Sequence, residues 1–300
     1  MNTTIPVFLA ANDGFSRHVA VVIASILANA SSNAKFHFYI LNDFIRDENK
    51  RKISALKKIR DFEIDFVAVD ITDIAELPNL QHFSLMTYLR IKIPELFQNI
   101  DRAIYLDSDI VVTGDLMELW MCDLNGKSLG AVRDRHSLWC FPRSGFNAGI
   151  LLMDLKQMRA IKTGVRLMQY IITHKDTIIF PDQDALNAVF CNDLQLLPDY
   201  WNYMIGHHLK PKLMRIFSTY QPPLPGIIHY VGSCKPSELR YRKEFKPEYW
   251  KYLAMTEYRD YSYEDRGIKS YIRYLLPEVC WEILYHMYNM ILTGIGRKRK

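Results

Sequence analysis

Short apolar runs alternate with helical patterns about every 25 residues through the first third of the chain, and few folds accommodate that rhythm. Val7-Phe8-Leu9-Ala10-Ala11 reads as a strand closed by Asn12-Asp13-Gly14, and a helical pattern follows from Arg17 to Ala30. Phe36 to Leu41 reads as a second strand, Asp47 as the cap of a charged helix through about Ile59, and Phe62 to Val69 as a third strand. Strands separated by helices pair in parallel, with the helices as crossovers. The spacing therefore predicts an α/β fold with a mostly parallel central sheet, whose ligands bind beyond the carboxyl ends of the strands. Asn12-Asp13 and Asp107-Ser108-Asp109 both fall at such ends.

Ala103-Ile104-Tyr105-Leu106-Asp107-Ser108-Asp109-Ile110-Val111-Val112 is the most informative stretch. A buried strand runs into two aspartates one residue apart, and apolar residues resume at once. On extended backbone the two carboxylates share a face and can reach one partner together. Adjacent carboxylates disfavour each other's ionisation unless a cation neutralises them. Oxygen ligands suit Mg2+ or Mn2+, which leave positions open for substrate phosphates. A plain turn has the same composition. The pattern also resembles haloacid-dehalogenase-type phosphatases, in which the first aspartate, here Asp107, is the nucleophile.

Further on, Ser84 opens a helix through about Ile93 that carries Arg90. Leu129 to Val132 reads as a strand ending at Asp134. Gly149 to Leu152 is an apolar run preceded by Gly145-Phe146-Asn147-Ala148. Pro181-Asp182-Gln183-Asp184 opens a helix with acids in its first turn, and Ile227 to Tyr230 reads as a late strand. Neither a G-x-G-x-x-G nor a P-loop motif is present, which argues against a dinucleotide dehydrogenase and a P-loop NTPase.

The five cysteines, Cys122, Cys140, Cys191, Cys234 and Cys280, include no C-x-x-C pair. They indicate neither a zinc site nor a disulfide framework, and they fit a reducing compartment. Met1 to Ala11 lacks a basic leader and reads as strand, not signal peptide. The net charge of +5 resides in residues 266–300, which hold seven of the 38 Lys and Arg but two of the 33 Asp and Glu. The rest of the chain is balanced, so any anionic partner belongs to the tail.

Several separated motifs then agree. They are Phe8-Leu9-Ala10-Ala11-Asn12-Asp13, Thr87-Tyr88-Leu89-Arg90, Tyr105-Leu106-Asp107-Ser108-Asp109, Phe146-Asn147-Ala148-Gly149, Asp182-Gln183-Asp184-Ala185-Leu186-Asn187, and His229-Tyr230-Val231-Gly232 with Lys235-Pro236. With these the chain resembles glycosyltransferase family 8, and within it the bacterial lipopolysaccharide galactosyl- and glucosyltransferases. The resemblance covers about residues 5–240 in order. It implies a GT-A fold and transfer of galactose or glucose from a UDP-sugar, with retention, to a saccharide acceptor of the lipopolysaccharide core.

The resemblance also implies roles. Asp107, Asp109 and His229 would hold Mn2+, with Mg2+ as the alternative; an imidazole beside carboxylates suits manganese better. Lys235 would place a point charge on the diphosphate. Ala10, Asn12 and Phe15 match the uridine contacts, although Asn12 stands where a bacterial relative has aspartate. Arg90 lies near the donor sugar and diphosphate. Asp134, Asn147, Ala148, Asp182 and Gln183 match the sugar pocket, and Ser108 and Gly232 belong to the same donor-binding set. Gln183 is nearest the reacting face and a poor nucleophile, which favours front-face transfer; a double displacement through Asp182 competes. Ser237 follows Lys235-Pro236 where many relatives carry tryptophan. A non-catalytic sugar-nucleotide-binding module and a glycogenin-like self-glucosylating enzyme are the remaining alternatives.

The expected division is a catalytic domain over 1–255 and a basic, aromatic-rich helical tail over 256–300. Ser270 to Leu276 and Glu278 to Leu292 are aromatic-rich segments broken at Pro277, and the chain ends Arg297-Lys298-Arg299-Lys300. The second segment is shorter than the roughly 20 apolar residues a spanning helix needs. Trp281, Tyr285 and Tyr288 beside basic charge suit an interfacial helix on anionic lipid; packing on the domain is the alternative. No nucleic-acid motif accompanies the basic residues. The expected location is cytoplasmic, peripheral on the inner face of the bacterial inner membrane, where a lipid-linked acceptor would be met.

Overall fold

A computed structural model describes residues 3–72, 85–134, 145–205, 224–241, 244–265 and 267–275. The chain opens with β1 (Thr4–Ala10), α1 (Ser16–Asn29), β2 (Lys35–Asn42), α2 (Asp47–Ser54) and β3 (Glu63–Ala68). There follow α3 (Leu89–Leu96), β4 (Arg102–Leu106), β5 (Ile110–Val112), α4 (Leu116–Trp120), β6 (Leu129–Arg133) and β7 (Phe146–Asp154). Then come α5 (Leu155–Ala160), α6 (Thr163–Thr173), α7 (Pro181–Phe190), β8 (Leu194–Leu197), β9 (Tyr203–Met204) and β10 (Ile227–His229). Helices over Lys246–Leu253 and Ile268–Leu275 follow.

Among the described residues, seven strands form one sheet in the order β3-β2-β1-β4-β7-β6-β8. β7 runs antiparallel to both of its neighbours, and the other pairings are parallel. The expected α/β architecture with a mostly parallel sheet is therefore present. Its central strands are apolar on both faces because both faces are covered. Alternate residues of β4 divide accordingly: Ile104 and Leu106 join a core with α1, while Ala103 and Tyr105 join a second core with α3, α5, α6 and α7.

β1 leads to β2 and β3 on one side, whereas β4 lies on the other side of β1. The order thus reverses between β1 and β4, a crevice of the kind that receives ligands in open α/β sheets. Beyond Leu106 the chain leaves the large sheet. β5 enters a second sheet, ordered β5-β10-β9, in which Ile110 lies opposite His229. The aspartates occupy the crossing between the two sheets.

Several local expectations are corrected. Asp47 is the first helical residue, and Arg46 holds the cap position without a side-chain bond. Asp47 instead pairs with Lys50 at 3.3 Å, and an acid in a first turn is favourable without being the cap. The helix ends at Ser54 and tightens to a 3-10 turn over Ala55–Lys58. Phe146, Asn147 and Ala148 do not precede a strand but lie within β7. α3 runs past Ile93 to Leu96 and tolerates Pro94; the expected start at Ser84 lies outside the described residues. In the tail, the helix over Ile268–Leu275 stands for the segment expected from Ser270. Pro277, the Glu278–Leu292 segment with Trp281, Tyr285 and Tyr288, and the terminal basic residues lie outside the described residues. No helix among the described residues is long and apolar enough to cross a membrane.

Residues 256–265 lie against the preceding body. Tyr258 donates to Asn49 Oδ1 at 2.7 Å, Glu257 pairs with Lys58 at 2.9 Å, and the Arg17 guanidinium sits 4.6 Å over the Tyr261 ring. Glu264 accepts from Arg17 and from the buried Ser237 hydroxyl.

Candidate active site

The site begins where β4 stops. Asp107 N–H donates to Gly149 O at 2.7 Å, which extends the ladder by one residue and ties the aspartate to β7. Ser108 turns its hydroxyl toward β1 and donates to Ala10 O at 2.8 Å. Asp109 O accepts from Tyr230 N–H at 2.9 Å, anchoring the second aspartate to the end of β10. Residues distant in sequence converge because β1, β4 and β10 all end here.

Asp107, Asp109 and His229 offer ligand atoms that all lie within 4.8 Å of one another. His229 Nε2 stands 3.3 Å from Asp109 Oδ1 and 3.8 Å from Asp107 Oδ2. A Cβ on Gly149 would come within 2.3 Å of His229 Cε1 and 2.7 Å of Asp107 Oδ2. Glycine is thus required for backbone to pass behind the cluster. Two carboxylates, one imidazole and a cleared floor fit a divalent cation.

Cationic side chains flank the aspartates. Lys235 donates to Asp109 Oδ2 and to Tyr230 O at 3.0 Å. Gly232, at φ +91°, supplies the left-handed turn between Tyr230 and this lysine. Burial opposes ionisation of Asp109, but Lys235 and then His229 outweigh it and hold the carboxyl far below the usual range. Arg90 is 4% exposed and bridges two acids. It reaches Asp107 Oδ1 at 2.8 Å and Asp182 Oδ2 at 3.0 Å, and it donates to the carbonyls of Thr87 and Ala148. Burial pushes the Asp182 carboxyl up, with Arg90 opposing. Tyr105 adds a hydroxyl to Asp107 Oδ1 at 2.9 Å.

α7 carries Asp182 and Gln183 and is pinned at two points. Asp184 Oδ2 accepts from the N–H groups of Ile179 and Phe180, and Asn187 exchanges bonds with the Phe146 backbone at 2.8 and 2.9 Å. The motif therefore docks the helix start against β7 as well as supplying polar groups. Gln183 Oε1 accepts from Asn147 Nδ2 and from Ala148 N–H, each at 3.1 Å, and its Nε2 donates to Asp134 Oδ2 at 3.2 Å.

The structure thus joins Ala10, Arg90, Asp107, Ser108, Asp109, His229 and Lys235 in one bonded cluster. Asp134, Asn147, Ala148, Asp182 and Gln183 border it, connected through Arg90 and the β7 backbone. Asn12 and Phe15 stand at its margin on the β1 side: Asn12 Oδ1 caps the turn by accepting from Phe15 N–H at 3.2 Å, and the half-exposed Phe15 ring lies 5.0 Å from His18. Asn202, Tyr105 and Asn187 contact this machinery and were not singled out from sequence as site residues. Tyr105 and Asn187 do fall inside quoted motifs, but no spacing signal marks Asn202 in Trp201-Asn202-Tyr203.

The sequence pattern of glycosyl transferase family 8 matches residues 6–236. The chain belongs to glycosyl transferase family 8. The chain is 27% identical to general stress protein A of Bacillus subtilis (strain 168) over 264 residues, 83% of this chain and 92% of that one. It is 28% identical to the lipopolysaccharide 1,2-glucosyltransferase of Escherichia coli (strain K12) over 231 residues, 73% of this chain and 68% of that one. The crystal structure of the galactosyltransferase LgtC with donor and acceptor sugar analogues superposes with a TM-score of 0.72 at 26% identity, covering 84% of this chain and 96% of that one. The fold is that of a GT-A glycosyltransferase. Family 8 membership favours glycosyl transfer over the phosphatase chemistry that the Asp107 motif alone left open.

Proposed function

We propose that the protein is a retaining hexosyltransferase that moves galactose or glucose from a UDP-sugar to a saccharide of the lipopolysaccharide core. The observation that carries this is the convergence of Asp107, Asp109 and His229 at the strand-order reversal, with Lys235 standing on Asp109. These three residues would hold Mn2+, or Mg2+ in its place. A divalent cation there supplies charge neutralisation to the leaving diphosphate. Lys235 adds a second positive group for the same phosphates, exchanging its contact with Asp109 for them. Asn12 and Phe15, at the end of β1, receive the uridine, with the exposed Phe15 ring offered to the base. A lipopolysaccharide glucosyltransferase among the relatives and a sugar-analogue complex among the structural neighbours support the donor and acceptor classes.

The bond from the anomeric carbon to the UDP oxygen breaks, and the acceptor oxygen bonds to the same face. The acceptor's proton passes to the departing phosphate oxygen. Gln183 and Asp182 are poorly placed as nucleophiles. The Gln183 carbonyl already accepts two hydrogen bonds, and Asp182 is held by Arg90. Front-face transfer, in which the protein positions the groups and stabilises charge, is therefore favoured over double displacement.

The protein would work at the cytoplasmic face of the inner membrane on a lipid-linked acceptor. Support comes from the helix over Ile268–Leu275, whose apolar side chains Ile268 and Leu275 are 81% and 75% exposed. The reaction is tested by UDP release from UDP-galactose and UDP-glucose, with and without Mn2+, beside Asp109→Asn. Slow metal-dependent hydrolysis of one donor, lost in the variant, is expected. The absence of both turnover and UDP binding would overturn the proposal.

A further inference from the structure

Behind His229 runs a single file of polar side chains. Its Nδ1 lies 3.0 Å from Asn202 Oδ1, and Asn202 Nδ2 donates to Asn147 Oδ1 at 2.9 Å. Asn147 Nδ2 donates to Gln183 Oε1 at 3.1 Å, and Gln183 Nε2 donates to Asp134 Oδ2 at 3.2 Å. The file joins the rim of the sugar pocket to the back of the cation cluster. His229, Asn202 and Asp134 are all buried.

The direction of this file is set by groups that cannot reverse. Gln183 turns its amide Nε2 toward Asp134 Oδ2 because its Oε1 is claimed by a backbone donor. The Ala148 N–H, a backbone donor, points at Gln183 Oε1 at 3.1 Å. The Gly149 N–H points at Asn147 Oδ1 at 3.0 Å. Both amides are therefore oriented by backbone, not by choice of flip. Asn147 Oδ1 can then receive only a donor from Asn202, and Asn202 must present its carbonyl to His229. An imidazole nitrogen facing a carbonyl oxygen carries the proton. Nδ1–H is thereby specified, and Nε2 is left as the ring nitrogen that can turn its lone pair to a cation held with Asp107 and Asp109.

We propose that Asn202 is a positioning residue that locks His229 in its Nδ1–H tautomer, readying Nε2 as a cation ligand, and that its own orientation is relayed from Asp134 through Gln183 and Asn147. Outer partners of this kind fix the ring and tautomer of metal-binding histidines, and their loss costs about 10- to 100-fold in metal affinity. The role rests on the proposed metal-dependent function. It also gives Asn147 and Gln183 a task beyond touching the sugar: a change in the sugar pocket is felt at the cation through the same bonds.

The first test needs no metal. Histidine-selective 15N labelling of the cation-free protein at alkaline pH, with the signal assigned by its absence in His229→Gln, reports which ring nitrogen is protonated. A proton on Nδ1 is expected, with or without a second one on Nε2 toward the aspartates, and a ring protonated on Nε2 alone would overturn the proposal. The second test measures Mn2+ binding by electron paramagnetic resonance. Asn202→Ala is expected to weaken it about 10- to 100-fold. Asn202→Asp, which still accepts from Nδ1–H but loses the donor to Asn147, is expected to weaken it clearly less than Asn202→Ala. Loss of polar packing alone would weaken both alike, and equal weakening, or none in Asn202→Ala, would overturn the role. If the parent protein binds no Mn2+, the metal-dependent function fails, while the tautomer spectrum still decides for or against Asn202.

Discussion

Arg90 shows how far a side chain can depart from the exposed helical position its neighbours suggest. Its guanidinium is buried against Asp107 and Asp182, and burial, which disfavours its charge, is outweighed by those two acids. Only a planar group with several donors can serve two carboxylates and two carbonyls together. Gly149 is the complementary case, where the absence of a side chain is what the site requires. In Gly149→Ala, the new Cβ would press on His229 Cε1 and Asp107 Oδ2, neither of which can retreat. Both are held, His229 by Asn202 and Asp107 by Arg90 and Tyr105. The expected result is a loss of about 1–3 kcal/mol in unfolding free energy. Mn2+ affinity should fall with it, read by denaturant titration and cation binding on the same protein. Full affinity in Gly149→Ala would mean that the floor of the cluster is more yielding than its contacts imply.

At the scale of elements, what was legible from sequence was local. The apolar run through Leu106, the two acids after it and the helix opened by Pro181 each carry their signal within about ten residues. The β5–β10 pairing carries none, because Ile110 and His229 meet across more than a hundred residues. That pairing turns the two acids and the histidine into a cluster, and only the family resemblance linked them in advance. The same reasoning explains why Asn202 was missed: its partners lie in β7 and β10 and share no periodicity with it. The Ile268–Leu275 helix reads from sequence only as an aromatic-rich segment from Ser270, and in the structure it turns an apolar stripe outward. Ile268, Tyr271, Ile272 and Leu275 recur at helical spacing and are all exposed. If this stripe meets the membrane, Ile268→Glu combined with Leu275→Glu should abolish co-sedimentation with anionic vesicles. UDP release should be unchanged. Binding by the parent should weaken with added salt as the flanking basic charge is screened. Undiminished binding by the double variant would move the attachment elsewhere.

Across the whole molecule, segments from both ends of the chain meet at α1, and His18 marks their junction. It lies on α1, buried, with its Nδ1 3.0 Å from the hydroxyl of Tyr249. Burial first, and then the positive charges of Arg17 and Lys235, lower its pKa to about 3 from an ordinary 6.5. The folded protein therefore keeps this ring neutral at a pH where the unfolded chain has already taken up a proton. Between those two values the unfolded state binds more protons, so stability is full above about 6.5 and is lost as the pH falls toward about 3. Each unit well below the upper value costs about 1.4 kcal/mol. A drop from neutral pH to pH 5 should then remove about 2 kcal/mol through this one ring. Asp109 does not contribute in that window, because both of its states are ionised there; its own loss begins only at more acid pH. Urea unfolding at pH 7 and pH 5 should show the decline, and His18→Gln should flatten it by about one proton's worth whatever its effect on absolute stability. The comparison of slopes isolates His18 from every other group that titrates on unfolding. An unchanged slope in His18→Gln would mean that the ring accepts its proton in the folded state, and that α1 and the Tyr249 helix part readily enough to let water reach it.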